Sequence, residues 1–156
     1  MSIEADLLEF LVEAKKATYA AHGDGAYIPP LLAGSKQLEY FRGDFGYRDI
    51  YFGSRFFVGQ ETVYRHHEPL WSMVYSGGIR HPVGVDVSRI YSFLRQAMRL
   101  VSPDNPYRGP AILVDGDFVY TESHNGDTGR FDGRERIFCC EREVYALVYT
   151  GGYLAN

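Results

Sequence analysis

Apolar residues recur at helical spacing near the start of the chain and then give way to strand-like alternation. Leu7, Phe10, Leu11 and Ala14 fall on one face of a 3.6-residue period, which predicts an amphipathic helix over residues 3 to about 20. Ser2 is the candidate N-cap. Glu4 and Asp6 stand in the first turn and Lys15 and Lys16 toward the end, the arrangement a helix dipole favours, and Gly23 is the expected stop. The next stretch, GDGAYIPPLLAGSKQ, has no period and is long for a connection. It reads either as a functional loop or, the favoured reading, as an arm that packs Ile28, Leu31 and Leu32 against the core.

From Leu38 the period is two. LEYF and DFGYRDIYF are separated by Arg-Gly; GSR is a turn, FFVGQETVY a strand, RHHEP a turn and LWSMVYS a strand ending at Gly77 and Gly78. Asp86 is placed to cap a second helix whose stripe is Val87, Ile90, Tyr91, Leu94, Ala97, Met98 and Val101, and Ser102-Pro103 ends it. AILV and DFVY flank Asp-Gly, a strong hairpin signal, and ERIFCC and VYALVYT complete a second set of strands.

The chain repeats itself. Residues 57–79 align with 131–153 at an offset of 74, with identities at Phe57/Phe131, Gly59/Gly133, Glu61/Glu135, Val74/Val148, Tyr75/Tyr149, Gly77/Gly151 and Gly78/Gly152. Upstream the offset is 73, where GDFGYRD (43–49) matches GDFVYTE (116–122); FLVEA (10–14) and FLRQA (93–97) match in the helices. The expectation is an α+β fold in which two helices pack on a twisted, mostly antiparallel sheet, internally duplicated as a helix followed by antiparallel strands, twice. The domain is 1–156, with half-repeats 1–79 and 80–156. A turn longer by one residue in the second half, GDTG against GSR, accounts for the change of offset if Tyr47 opposes Glu61 and Tyr120 opposes Glu135.

Alternation also assigns faces. Arg130, Asp132, Arg134 and Arg136 share a parity that must be solvated, so Phe131, Gly133, Glu135 and Ile137 face inward; the same parity carries Glu61 inward beside Phe57, Gly59 and Val63. A carboxylate on an inward face costs several kcal/mol unless it is bonded or paired. Glu61 with Tyr47, Trp71 and Tyr75, and Glu135 with Tyr120 and Tyr145 and Tyr149, are therefore the candidate ligand-binding residues. The ring setting suits a cationic or aromatic ligand. The competing reading is a structural Glu held by Tyr hydroxyls and backbone N–H groups.

Composition narrows the rest. Aromatic residues make up 15% of the chain, with 13 Tyr, 10 Phe and 1 Trp, which fits either strands or a Tyr-lined surface. The net charge is −4 and the basic residues are scattered, which argues against direct nucleic-acid contact. No apolar run is long enough to span a membrane, and acids stand where a signal peptide has bases, so a cytoplasmic protein is expected. His22, His66, His67, His81 and His124 form no metal motif; His66 and His67 read as solvated turn residues, and no metal or cofactor is expected. Cys139 and Cys140 are adjacent, with no activating base and no expected disulfide.

LEYFRGDFGYRDIYFG, FVGQETVY, PLWSMVYSGG and NPYRGP resemble a bacterial family of unknown function. Its members occur alone or C-terminal to Xre-type helix-turn-helix regulators, and the resemblance runs from the first helix to the last strand. It implies a module coupled in some proteins to transcription, hence an effector-binding role. No helix-turn-helix pattern is read in these 156 residues, so no direct DNA contact is expected of them. The expected function is a cytoplasmic small-molecule binding module. The alternatives are a protein-interaction or homodimerisation domain using Tyr-rich strands, and an enzyme using Glu61 as acid or base with Asp49 nearby.

Overall fold

A computed structural model of the protein describes residues 2–22, 27–80 and 84–155. The first helix, α1 (Ile3–Ala17), begins where Ser2 accepts a hydrogen bond from the Ala5 amide and ends at Thr18, whose hydroxyl donates to the Ala14 carbonyl. One further turn follows as α2 (Tyr19–His22), so the expected single helix is interrupted at the β-branched, back-bonding Thr18. Gly23, His81 and the His22 side chain lie outside the described residues. The second long helix, α3 (Val87–Met98), starts at Asp86 as expected and buries Ile90, Phe93, Leu94, Ala97 and Met98. Phe93 joins the stripe that the sequence pattern assigned.

The strands are β1 (Lys36–Arg42), β2 (Phe45–Gly53), β3 (Phe56–Arg65), β4 (Glu68–Ile79), β5 (Ile112–Asp115), β6 (Phe118–Asp127), β7 (Arg130–Cys139) and β8 (Arg142–Tyr153). They form one antiparallel sheet in the order β1-β2-β3-β4-β8-β7-β6-β5, a sequence that reads alike from either edge. At its centre β4 pairs with β8, and Tyr75 lies opposite Tyr149. The helices and the inward parity of the strands share one core, led by Leu7, Phe10 and Leu11 with Tyr47, Trp71, Tyr120 and Tyr145. This is an α+β fold in which sheet predominates.

The pairing register differs from expectation by two residues. Tyr47 lies opposite Val63 and Asp49 opposite Glu61; in the second half Tyr120 lies opposite Ile137 and Glu122 opposite Glu135. A slip of two leaves every side chain on the expected face, which is why face assignments survive it. The hairpins turn on Gly43-Asp44 and Gly116-Asp117, one residue beyond the expected Arg-Gly and Asp-Gly, with each Gly at φ 58. His66 and His67 form a two-residue turn, both at positive φ, and are exposed.

The packed-arm expectation fails for Leu31 and Leu32, which are 67% and 50% exposed, while Ile28 is half-buried and forms an isolated bridge to Gln37. The equivalent stretch of the second half, between α3 and β5, behaves differently. There Tyr107 stacks on Phe131 with centroids 3.8 Å apart, and Arg108 is buried. On the outer face Arg130 is exposed, and Arg134 and Arg136 are part-exposed beside Glu143 at 3.7 and 3.8 Å.

Candidate functional site

The inward faces of β2 and β3 each carry one carboxylate, and the register sets Asp49 against Glu61. Directly opposed side chains on one face of a sheet start with Cβ atoms about 5 Å apart, so two buried acids here interact strongly. They are treated differently. Glu61 accepts a hydrogen bond from Lys15 Nζ at 2.6 Å, and the same ammonium donates to the Tyr107 carbonyl at 2.6 Å. Lys15 and Glu61 are both almost wholly buried, so they form an interior ion pair. Burial pulls the Lys15 pKa down, and the adjacent Glu61 opposes that pull.

Asp49 has no cation bonded to it among the described residues. Its Oδ1 accepts from the Tyr75 hydroxyl at 2.6 Å. Burial first, and the negative Glu61 second, push its pKa up to about 7, against the hydrogen bond from Tyr75. Tyr75 reaches Asp49 because its ring crosses β3 at Gly59, where a Cβ would collide with the Tyr75 ring and the Tyr51 Cβ. Burial, followed by the nearby carboxylates, raises the Tyr47 and Tyr75 hydroxyl pKa values well above the usual range, so both phenols stay protonated donors.

These groups form the floor of a cavity of about 200 Å3. Lys15, Tyr47, Asp49, Glu61, Tyr75 and Arg108 are its deeply buried lining, and Tyr51, Phe57, Leu94 and Met98 form its walls. Tyr19, Lys36, Gly53, Ser54, Tyr91 and Arg95 are more accessible and mark its mouth. Tyr91 donates to the Ser54 carbonyl, tying α3 to the β2–β3 turn across the opening. Lys36 Nζ lies 5.6 Å from the Tyr51 ring centroid and 5.7 Å from that of Tyr27.

Of the candidate residues, Glu61, Tyr47 and Tyr75 line this cavity, and Trp71, Tyr120, Glu135, Tyr145 and Tyr149 do not. Trp71 is wholly buried, stacks on Phe131 with centroids 5.5 Å apart, and donates to the Thr128 carbonyl at 3.2 Å. Glu135 accepts from Arg108 at 2.6 Å, Tyr145 at 2.7 Å and Tyr120 at 2.6 Å, and the Tyr120 hydroxyl in turn accepts from the Gly109 amide at 2.9 Å. The second-half position is thus filled by the chain itself. Arg108 links the two regions, with its guanidinium 5.8 Å from the Tyr75 ring and its Nε buried without an acceptor among the described residues.

Sequence reasoning did not select Lys15, Arg108 or the walls from α3. Lys15 carried a signal: it lies four residues after Leu11 on the buried face of α1. The helix-dipole pattern gave that lysine a sufficient surface role.

Residues 49–154 match the family described as DUF5680, a domain of unknown function. The chain belongs to this family. The DUF5680 match includes Asp49, Glu61, Tyr75 and Arg108, whereas Lys15, Lys36 and Tyr47 precede it. No curated protein and no solved structure matches this DUF5680 chain. Among the described residues, no helix is long and apolar enough to cross a membrane, and no group of three or more His, Cys, Asp or Glu side chains is placed to hold a metal ion. His124 instead bonds to Glu122 through Nδ1 at 3.0 Å, and Cys139 and Cys140 are free thiols with their sulfurs 4.0 Å apart. That proximity arises because Cys140 leaves the strand at positive φ.

Proposed function

We propose that the cavity is the binding site of a small flat molecule and that the protein works in the cytoplasm as an effector-binding module. The observation that carries this reading is Asp49, a buried carboxyl that holds a proton near neutrality in the floor of an aromatic cavity. A ligand that brings a cation or an N–H donor to Asp49 relieves the cost of ionising it there. Rings such as Tyr51, Phe57 and Tyr91 add flat apolar contact, with about 0.5–2 kcal/mol per ring toward a cationic ligand. Coupling to an Xre-type regulator, which the family resemblance implies, fits such a sensor.

The test is a thermal-melt screen with small flat heteroaromatic amines, amides and acids. Stabilisation of the wild type that shrinks in Asp49→Asn supports the site. Equal stabilisation of both proteins, or none of either, overturns it.

A second reading, acid–base catalysis, is favoured by the same proton on Asp49 rather than by Glu61, whose carboxylate is engaged by Lys15. It requires turnover that Asp49→Asn abolishes without loss of fold. The dimerisation reading draws on the outer sheet face, where Val58, Val74 and Val148 are exposed. A monomer by light scattering at high concentration counts against it.

We also infer that the two halves arose by duplication. The mirrored strand order supports it, as do irregularities at Val63/Tyr64 and Ile137/Phe138, 74 residues apart, and the central pairing of Tyr75 with Tyr149. Relatives in which 57–79 and 131–153 share no more than chance identity count against it.

A further inference from the structure

The charges around the cavity are unevenly compensated, and this bears on what the cavity takes. On the floor Lys15 is neutralised by Glu61 and Arg108 by Glu135. Asp49 remains as a weakly acidic group. At the mouth Lys36 and Arg95 stand part-exposed, and neither forms an ion pair with a carboxylate among the described residues. Lys36 lies over the rings of Tyr27 and Tyr51, and Arg95 stands beside the Tyr19 hydroxyl. The potential therefore runs from a positive mouth to an acidic floor.

Arg108 adds a second requirement. Its side chain is more than nine-tenths buried, it lines the cavity, and its Nε has no acceptor among the described residues. A buried donor without an acceptor costs about 1–3 kcal/mol, so an acceptor atom brought by a ligand is strongly favoured there. Size sets a third limit. A cavity of about 200 Å3 exceeds the roughly 150 Å3 that accommodates one benzene ring, and falls short of the roughly 300–1,000 Å3 of sites for drug-sized ligands. It holds a ring with substituents and no nucleotide.

Taking the cavity as a binding site, as above, we propose that its ligand is a flat heteroaromatic carboxylic acid. Its carboxylate is held at the mouth by Lys36 and Arg95, its ring lies among Tyr51, Phe57 and Tyr91, and its inner edge presents an N–H to Asp49 and an acceptor to Arg108. The acid supplies the counter-charge that the mouth lacks. The donor–acceptor edge matches the two floor groups with unused capacity. A purely cationic ligand meets Asp49 but is repelled by Lys36 and Arg95 as it enters.

The proposal is tested by NMR on protein with labelled tyrosine rings. Pyridine, pyrimidine and indole skeletons are each titrated as carboxylate, carboxamide and aminomethyl forms. Carboxylates should shift the Tyr51 and Tyr91 signals with a Kd about tenfold below that of the matching carboxamides, the scale of one charge-assisted contact. The double variant Lys36→Gln/Arg95→Gln should erase that preference by weakening carboxylate binding to the level of the matching carboxamide. Equal binding of the forms, tightest binding by the aminomethyl form, or a preference that persists in the double variant overturns the acid assignment while leaving the cavity a binding site. If no form shifts these rings, the binding reading falls with it.

Discussion

Asp49 and Glu61 face each other across β2 and β3, yet among the described residues only Glu61 has a cation bonded to it, the Nζ of Lys15 at 2.6 Å. The pair therefore divides into a carboxyl group bonded to a cation and one that holds its proton to about pH 7. Burial is the larger cause of that rise and the negative charge of Glu61 the second.

This has a consequence for stability. The Asp49 pKa rises on folding from 3.8 to about 7, so between those values the folded protein binds more protons than the unfolded chain. Stability contributed by this group is greatest below the lower value and falls as pH rises through the window. Asp49→Asn should flatten that part of the stability–pH curve and gain on the wild type as pH increases. Urea melts across the window check this; parallel curves for the two proteins contradict it.

Lys15 and Glu61 should be strongly coupled. Glu61→Gln strands a buried ammonium and should cost about 3–5 kcal/mol, the range for breaking one side of an interior pair. Lys15→Met combined with Glu61→Gln should recover much of that loss. The double-mutant cycle is read from urea melts, and additive effects of the two changes refute the coupling.

Gly59 is the crossing point for the Tyr75 ring. Gly59→Ala sets a methyl group against that ring and the Tyr51 Cβ, so Tyr75 must move and its bond to Asp49 is lost. The expected cost is about 1–3 kcal/mol, the usual range for overpacking. The Asp49 pKa should also rise further, because a bond that lowers it is gone. A carboxyl NMR titration distinguishes this from a general loss of stability.

Glu135 should behave as a structural residue. Glu135→Ala leaves Arg108 buried and unpaired and removes the acceptor of two tyrosine hydroxyls, so a loss of about 3–5 kcal/mol is expected. Loss of ligand binding with unchanged stability would instead place Glu135 among the binding groups.

Much of this arrangement was legible in the chain. Period-two alternation alone brought Glu61 and Glu135 inward, and both are among the most buried charged side chains. Alternation fixes parity but not register, so Tyr47 was set opposite Glu61 when Asp49 holds that position. The contrast between the halves was not legible. Matching carboxylates on β3 and β7 look equivalent, and the difference lies in loops without periodicity: Tyr107 and Arg108 fold into the second half, whereas Leu31 and Leu32 stay outside the first. Trp71 shared the inward parity of the site residues but lies against Phe131, because parity specifies a face and not a position along it.

The most direct test of the cavity as a binding site is a crystallographic soak with small flat heteroaromatic amines and acids. The expected result is a ring between Tyr51, Phe57 and Tyr91 with a nitrogen in hydrogen-bond range of Asp49. Fragments gathering elsewhere, such as over Val74 and Val148 on the outer face, with only water beside Asp49, would contradict it.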